Sequence, residues 1–305
     1  MSSSRIKPLT TTKSFNDQQF NDAWEVIAQG IWNVLHKNLL DVLPGDLYRR
    51  VYNIILHKNG DKLYQGVRDI ITQHLEAVAR DQIAPALGVG ARLRPEASEV
   101  RRQMAWEDYL TAIRLVGDIL LYMVCGFFIP FADCLLLFIN CDRVYTKVAN
   151  VPKVYQLGLD LFRDTVVRSP RFPVQQHLHQ IMLEQIQKER EGKIIDRGAI
   201  KSAVGMLLAL TDVSQNNSLY VVDFEEHYLK TSAAFYKVES QMLLANCDSA
   251  EYMEKVLKRL NEEQERTRQY LPETTEPKIR NIIQVEMITN HGKTMEMEIS
   301  GLTQA

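Results

Sequence analysis

The chain has 305 residues, 46% of them hydrophobic and 24% charged, with a formal net charge of -2. That length allows one extended array or about two domains. The near-neutral charge excludes a general nucleic-acid binder held by phosphate contacts. With 14 Gly, 10 Pro and few strand signals, the fold class is all-α.

Residues 1–15 are Ser/Thr-rich and are predicted to form a mobile arm, with Arg5-Ile6-Lys7-Pro8-Leu9 as a small apolar island. They contain no apolar run of the kind a secretory signal needs. A first helix is predicted over Asn16–Lys37, with Phe20, Trp24, Ile27 and Ile31 on one face. A second is predicted to start on Asp46 as N-cap and to end at Asn59-Gly60, with His57 and Lys58 in its last turn. Leu47, Val51, Ile54 and Ile55 make its core stripe, and Tyr48, Tyr52 and Ile55 an adjacent one. Tyrosine gives a large rigid surface with a polar tip, so this second stripe reads either as core or as a contact surface. A third helix is predicted over Asp61–Ala86 on Leu63, Val67, Ile70, Ile71, Leu75 and Val78. After a loop at Gly88–Pro95, a fourth covers Glu96–Tyr122 with Trp106, Leu110, Ile113 and Leu120.

Ile119–Ile139 then departs from the pattern, being apolar throughout except for Asp133. It is long enough for a membrane span. Gly126, Pro130 and Asp133 near its middle, and balanced charges at its two ends, argue against one. Three of the four cysteines, Cys125, Cys134 and Cys141, fall here with no histidine nearby. They read as free thiols of a reducing compartment and not as a zinc site, and the expected localisation is cytoplasm and nucleus.

Beyond Asp142 the amphipathic pattern resumes, with one helix to Asn150 and another from Val151 that has Pro152 at its first position. Pro170 and Pro173 break the chain. Helices are predicted over Val174–Glu191, ending at Gly192, and over Asp196–Leu210 with Asp196 as N-cap. Ser214–Ser218 is a predicted loop, and Asp223–Ala245 and Ser249–Leu271 are long helices. The second of these is dense in Glu, Lys and Arg on one face, which reads as solvated. A break at Pro272–Pro277 precedes a last helix. About eleven helices on short links suggest a stacked helical array.

Nothing pairs a nucleophile with a base. His177 and His179 are two apart and point apart on a helix, and Glu225-Glu226-His227 reads as helix surface. Asp196-Arg197-Gly198-Ala199-Ile200 reads as a cap followed by small residues for close helix approach. No catalytic residue, metal or cofactor is expected.

Four stretches taken together, Leu47–Gly66, Val154–Val167, Glu189–Leu210 and Asn261–Leu271, resemble the cullins, scaffolds of multi-subunit ubiquitin ligases. The words HKNGDKLYQG and DRGAI, with Ile6 and Leu9 upstream of a helix-one Trp, are similar to the branch whose adaptors are BTB-domain proteins. The resemblance implies an elongated stack of five-helix cullin repeats: the arm 1–15, repeat one over 16–150, repeat two over 151–270, and the start of a third over 271–305. It implies a scaffold without its own active site, whose partners are a BTB adaptor and the rest of the ligase, not nucleic acid or membrane. It places adaptor contacts at Val42, Tyr48 and Tyr52, at Leu121, Tyr122 and Arg143, and on the arm at Ile6 and Leu9. On this basis the tyrosine stripe is expected to be contact surface.

Three departures stand out. The branch enters its second helix through Ser-Phe-Glu-Glu, where this chain has Leu43-Pro44-Gly45-Asp46. Val124–Cys141 interrupts the family pattern, either as an untranslated segment carried into the sequence or as a true insertion or membrane hook; the alternatives to a cullin scaffold are a membrane-attached helical protein hooked by 119–139 and an unrelated helical-repeat tether. The family's globular C-terminal region, which recruits the RING subunit, is not expected before Ala305.

Overall fold

The computed structural model describes residues 16–38, 44–83, 109–116 and 150–291. Among these the secondary structure is helical apart from one two-stranded hairpin. The expected arm 1–15, the loop at 88–95, most of the fourth helix, the apolar run 119–139 and the helix ending at Asn150 lie outside the described residues. The chain forms two compact units, 1–82 with 104–166 and 83–103 with 167–305.

In the first unit, α1 (Asp17–Leu35) opens with a capping box. Asn16 Oδ1 accepts from the Gln19 N–H at 2.8 Å, and the Gln19 side chain accepts from the Asn16 N–H at 3.2 Å. Ile27 and Ile31 of the predicted stripe are fully buried, while Phe20 and Trp24 are half-buried. Helices α2 (Pro44–Leu56) and α3 (Gly60–Val78) both pack on α1. Gly66 of α3 lies directly under the Trp24 indole, so a Cβ there would overlap the ring, and this sets the close approach of α1 and α3. Helix α3 passes into a wide turn, Ala79–Ile83. Residues 109–116 form α4, and α5 (Val154–Phe162) packs on α3.

Helix α2 corrects two expectations. It begins at Pro44, so Asp46 is its third residue and not its N-cap. Proline's fixed φ and missing N–H suit a first helical position, which accounts for the earlier start. It also ends at Leu56, with His57 and Lys58 in the turn. The Lys58 N–H donates to the Ile55 carbonyl at 3.0 Å and the Asn59 N–H to the Ile54 carbonyl at 3.1 Å. That is a Schellman closure with Lys58 at φ 60 in the position glycine usually takes, while Gly60 already belongs to α3. The same word, Leu-His-Lys-Asn, closes α1 in the same way with Lys37 at φ 63. A left-handed non-glycine residue costs about 1–2 kcal/mol, partly offset by glycine's greater freedom when unfolded. Lys58→Gly is therefore expected to stabilise the first unit by about 0.5–1 kcal/mol in urea unfolding. Lower stability would mean that the lysine side chain contributes more than its backbone strain removes.

Helix α5 starts at Val154, not Val151: Lys153 is the extended N-cap, and Pro152 precedes it with its carbonyl accepting from the Tyr64 hydroxyl at 2.8 Å.

The second unit contains α6 (Val174–Arg190), α7 (Arg197–Ala209), β1 (Thr211–Asp212), β2 (Asn217–Ser218), a wide turn (Tyr220–Glu225), α8 (Glu226–Asn246), α9 (Ser249–Tyr270) and α10 (Glu276–Met287). The predicted end of α6 at Gly192, at φ 82, and the Asp196 cap of α7, accepting from the Ala199 N–H at 3.0 Å, are both present. Ser214–Ser218 turns out to be the tip and return strand of the hairpin, organised by Asp212, whose carboxylate accepts from the Ser214 and Gln215 N–H groups at 2.8 and 3.2 Å. Helix α10 packs on α8 and α9 over a core that includes Tyr220, Tyr228, Tyr236 and Tyr252.

Three expectations fail here. Gly198 is exposed, and a Cβ on it would meet only the Asp196 carboxylate, so it serves no helix approach. Glu225 is not helix surface but 3% exposed, accepting from Thr275 at 2.9 Å and Lys278 at 2.7 Å. The charged face of α9 is not wholly solvated either. Glu263 is 1% and Arg266 5% exposed, because α6 and α8 bring partners to them.

Candidate adaptor-binding surface

Helix α2 turns Leu47, Val51 and Ile54 inward, each at most 3% exposed. Gly30 of α1 lets the Leu47 side chain come close, as a Cβ there would stand 2.8 Å from Leu47 Cδ1. Rotating off this buried stripe reaches Tyr52 and Ile55, both half-buried, and then Leu56 at 59% exposure. Arg49 and Asn53 flank them, exposed. Tyr52 is thus neither core nor freely exposed: part of the ring is held against the unit and part faces out.

Tyr48 is one helical turn before Tyr52 on α2, which places the two on one side of the helix. Val42, Leu121, Tyr122, Arg143, Ile6 and Leu9 lie outside the described residues, so among the expected contact residues the structure places Tyr48 and Tyr52 on a common helix. Leu56 was not singled out by the sequence. Its signal was available, since it falls at i+4 from Tyr52 and i+8 from Tyr48.

Among the described residues no group of three or more His, Cys, Asp and Glu stands ready to hold a metal ion, and Cys247 is a free, half-buried thiol. No described helix is long and apolar enough to cross a membrane. His177 is tied to its own helix, its Nδ1 donating to the Pro173 carbonyl at 2.8 Å, and His179 is 8% exposed. Burial holds the His179 imidazole below its ordinary range, with Asp223 opposing and His227 adding to the shift. Among the described residues its Nε2 has no hydrogen-bond partner.

Packed helices, with a single two-stranded hairpin among the described residues, define an all-α protein. A model of the cullin alpha solenoid domain matches residues 24–304. The chain belongs to the cullin family. It is 35% identical over 288 residues to Cullin-3B of Arabidopsis thaliana, covering 94% of this chain and 35% of that protein. It is 33% identical over 280 residues to Cullin-3 of Dictyostelium discoideum, with 92% and 32% covered. Against Cullin-3 of Schizosaccharomyces pombe the identity is 25% over 299 residues, with 91% and 36% covered. The chain therefore spans about a third of the length of the relatives it matches.

Proposed function

We propose that this chain is the adaptor-docking part of a non-catalytic ubiquitin-ligase scaffold, and that it receives a BTB-domain adaptor on α2. Tyr48 and Tyr52 supply the anchors, with Val42, Leu121, Tyr122 and Arg143 beside them and Ile6 and Leu9 reaching a second groove on the adaptor. The repeats run over 16–150 and 151–270 with a third begun at 271, and the chain works in cytoplasm and nucleus. Membership of the cullin family and likeness to proteins named cullin-3 support this reading. The observation that carries it is the outward side of α2, where Tyr52 is half-buried and Leu56 is 59% exposed one turn on. An interface anchor of this kind is held rigid by its own domain and still offers area to a partner.

The test is Tyr52→Ala, measured by calorimetric titration against a BTB adaptor and by a melting curve on the same sample. Truncating a central anchor costs about 2 kcal/mol or more, roughly thirtyfold in affinity. Pro44 and Gly45 occupy the positions where the family branch has phenylalanine and glutamate, so the tyrosines carry a larger share here. Binding is expected to fall below detection while melting stays within a few degrees. A sharp fall in melting would make Tyr52 core, and unchanged binding in a stable variant would move the interface elsewhere.

A further inference from the structure

At the C-terminal ends of α1 and α3, two histidines face each other. The His36 and His74 rings are 5.1 Å apart between centroids and nearly perpendicular, at 78°. On its other side His36 stacks on Trp32 at 4.0 Å. Its Nδ1 lies 2.8 Å from the Trp32 carbonyl, which can only accept, so Nδ1 carries a hydrogen and the ring is fixed in place. His36 also begins the left-handed turn at Lys37, in which the Asn38 N–H donates to the Asn33 carbonyl at 2.7 Å. Both rings line a cleft of about 460 Å³ with Lys37, Asp81, Tyr109 and Phe162.

Among the described residues two charged side chains line the cleft beside the pair. They are Lys37, in the turn after α1, and Asp81, in the turn after α3. From α4 comes Tyr109, whose hydroxyl donates to the Gly158 carbonyl at 2.7 Å and is kept un-ionised by burial. From α5 comes Phe162, which bears no charge. Two imidazolium rings in contact would repel each other.

We propose that the His36–His74 pair is an acid-sensitive latch: with one proton or none the rings hold the last turn of α1 against α3, and a second proton parts them and opens the cleft. Burial first, and then the neighbouring His36, lower the His74 pKa to about 4, which agrees with a pair that resists its second proton.

Imidazole NMR titrations of the full chain and of its His36→Gln variant test the coupling. Removing His36 is expected to raise the His74 midpoint by about half a pH unit or more, still short of the ordinary histidine value because burial remains. Hydrogen exchange of the Lys37 and Asn38 amides, in the full chain and in His74→Gln, tests the latch. Their protection is expected to fall about tenfold further between pH 6 and pH 4 in the parent than in the variant. An unmoved His74 midpoint would show that the rings do not sense each other. Equal loss of protection in parent and variant would show that their protonation does not hold the turn. Either result overturns the proposal.

Discussion

Glu263→Gln is expected to lower the stability of the second unit by about 3–5 kcal/mol, a large part of what a domain of this size possesses. Glu263 is buried at the centre of a network joining α6, α8 and α9. Its Oε1 accepts from Arg190 Nε at 2.7 Å, from Arg266 at 2.9 Å and from the Tyr236 hydroxyl, and its Oε2 accepts from Tyr228 at 3.2 Å. Arg190 also donates to Ser232 at 2.8 Å, and its guanidinium lies over the Phe235 and Tyr236 rings at 5.2 Å from each. Glu189 extends the network, accepting from Tyr270 at 2.6 Å and standing 3.3 Å from Arg266 Nε, an ion pair without hydrogen-bond alignment. Glutamine keeps the shape but removes the charge, and so leaves Arg190, with a side chain only 2% exposed, without its counter-ion. The burial of Glu263 opposes ionisation, yet Arg190 and Arg266 outweigh it and hold the carboxyl down at about 2. The unfolded chain therefore binds the proton first as pH falls. The contribution is complete above about pH 4.5, and the window from there down to about 2 corresponds to roughly 3 kcal/mol lost. Urea unfolding followed by circular dichroism at pH 7 measures the single variant. Replacing both Arg190 and Glu263 with leucine should cost much less than the sum of the single losses. A Glu263→Gln protein as stable as the parent would mean that water reaches the network.

What the sequence disclosed follows from how local each cause is. Asn16 with Gln19, Asp196 with Ala199, and Gly192 at the end of α6 act within one helical turn, so spacing alone located those helix ends. Lys37 and Lys58 act just as locally, but they hold a position where glycine is the usual signal, and the end of α2 was consequently placed too late. The fate of Glu263 was hidden for the opposite reason. Its partner Arg190 is 73 residues away in the chain, and the intervening pattern on α9 looks like any solvated charged face. Glu225 was misread likewise, its partners Thr275 and Lys278 being 50 and 53 residues on. On α2 the periodicity separated Leu47, Val51 and Ile54 from the tyrosine stripe but could not assign that stripe. A half-buried ring such as Tyr52 satisfies both readings, and the contact reading rests on the likeness to a known family.

Gly158→Val is expected to destabilise the first unit by about 3 kcal/mol, the upper end of what overpacking a well-filled site costs. A glycine inside a helix is ordinarily a weakness, and Gly→Ala there gains up to about 1 kcal/mol of helix propensity. Gly158 is an interior residue of α5 and is buried, yet that gain is out of reach. Ile113 of α4 fills the space its Cβ would need, close enough to overlap, and Ile113 is itself fully buried and has nowhere to go. The Tyr109 hydroxyl stands 3.2 Å from the same point while donating to the Gly158 carbonyl, so any shift that relieves the clash also stretches a buried hydrogen bond. Valine adds two further carbons in the same direction, with no gain in propensity to offset them. Shortening the obstacle should recover part of the loss. Ile113→Ala alone leaves a cavity and costs about 2–5 kcal/mol, but combined with Gly158→Val the two changes fill each other's defect. The double variant is therefore expected to be more stable than the sum of its parts by about 1–2 kcal/mol. Additive losses in that cycle would mean that α4 and α5 do not meet at Gly158. A positive coupling would fix their contact at atomic range, in the unit that carries the α2 surface.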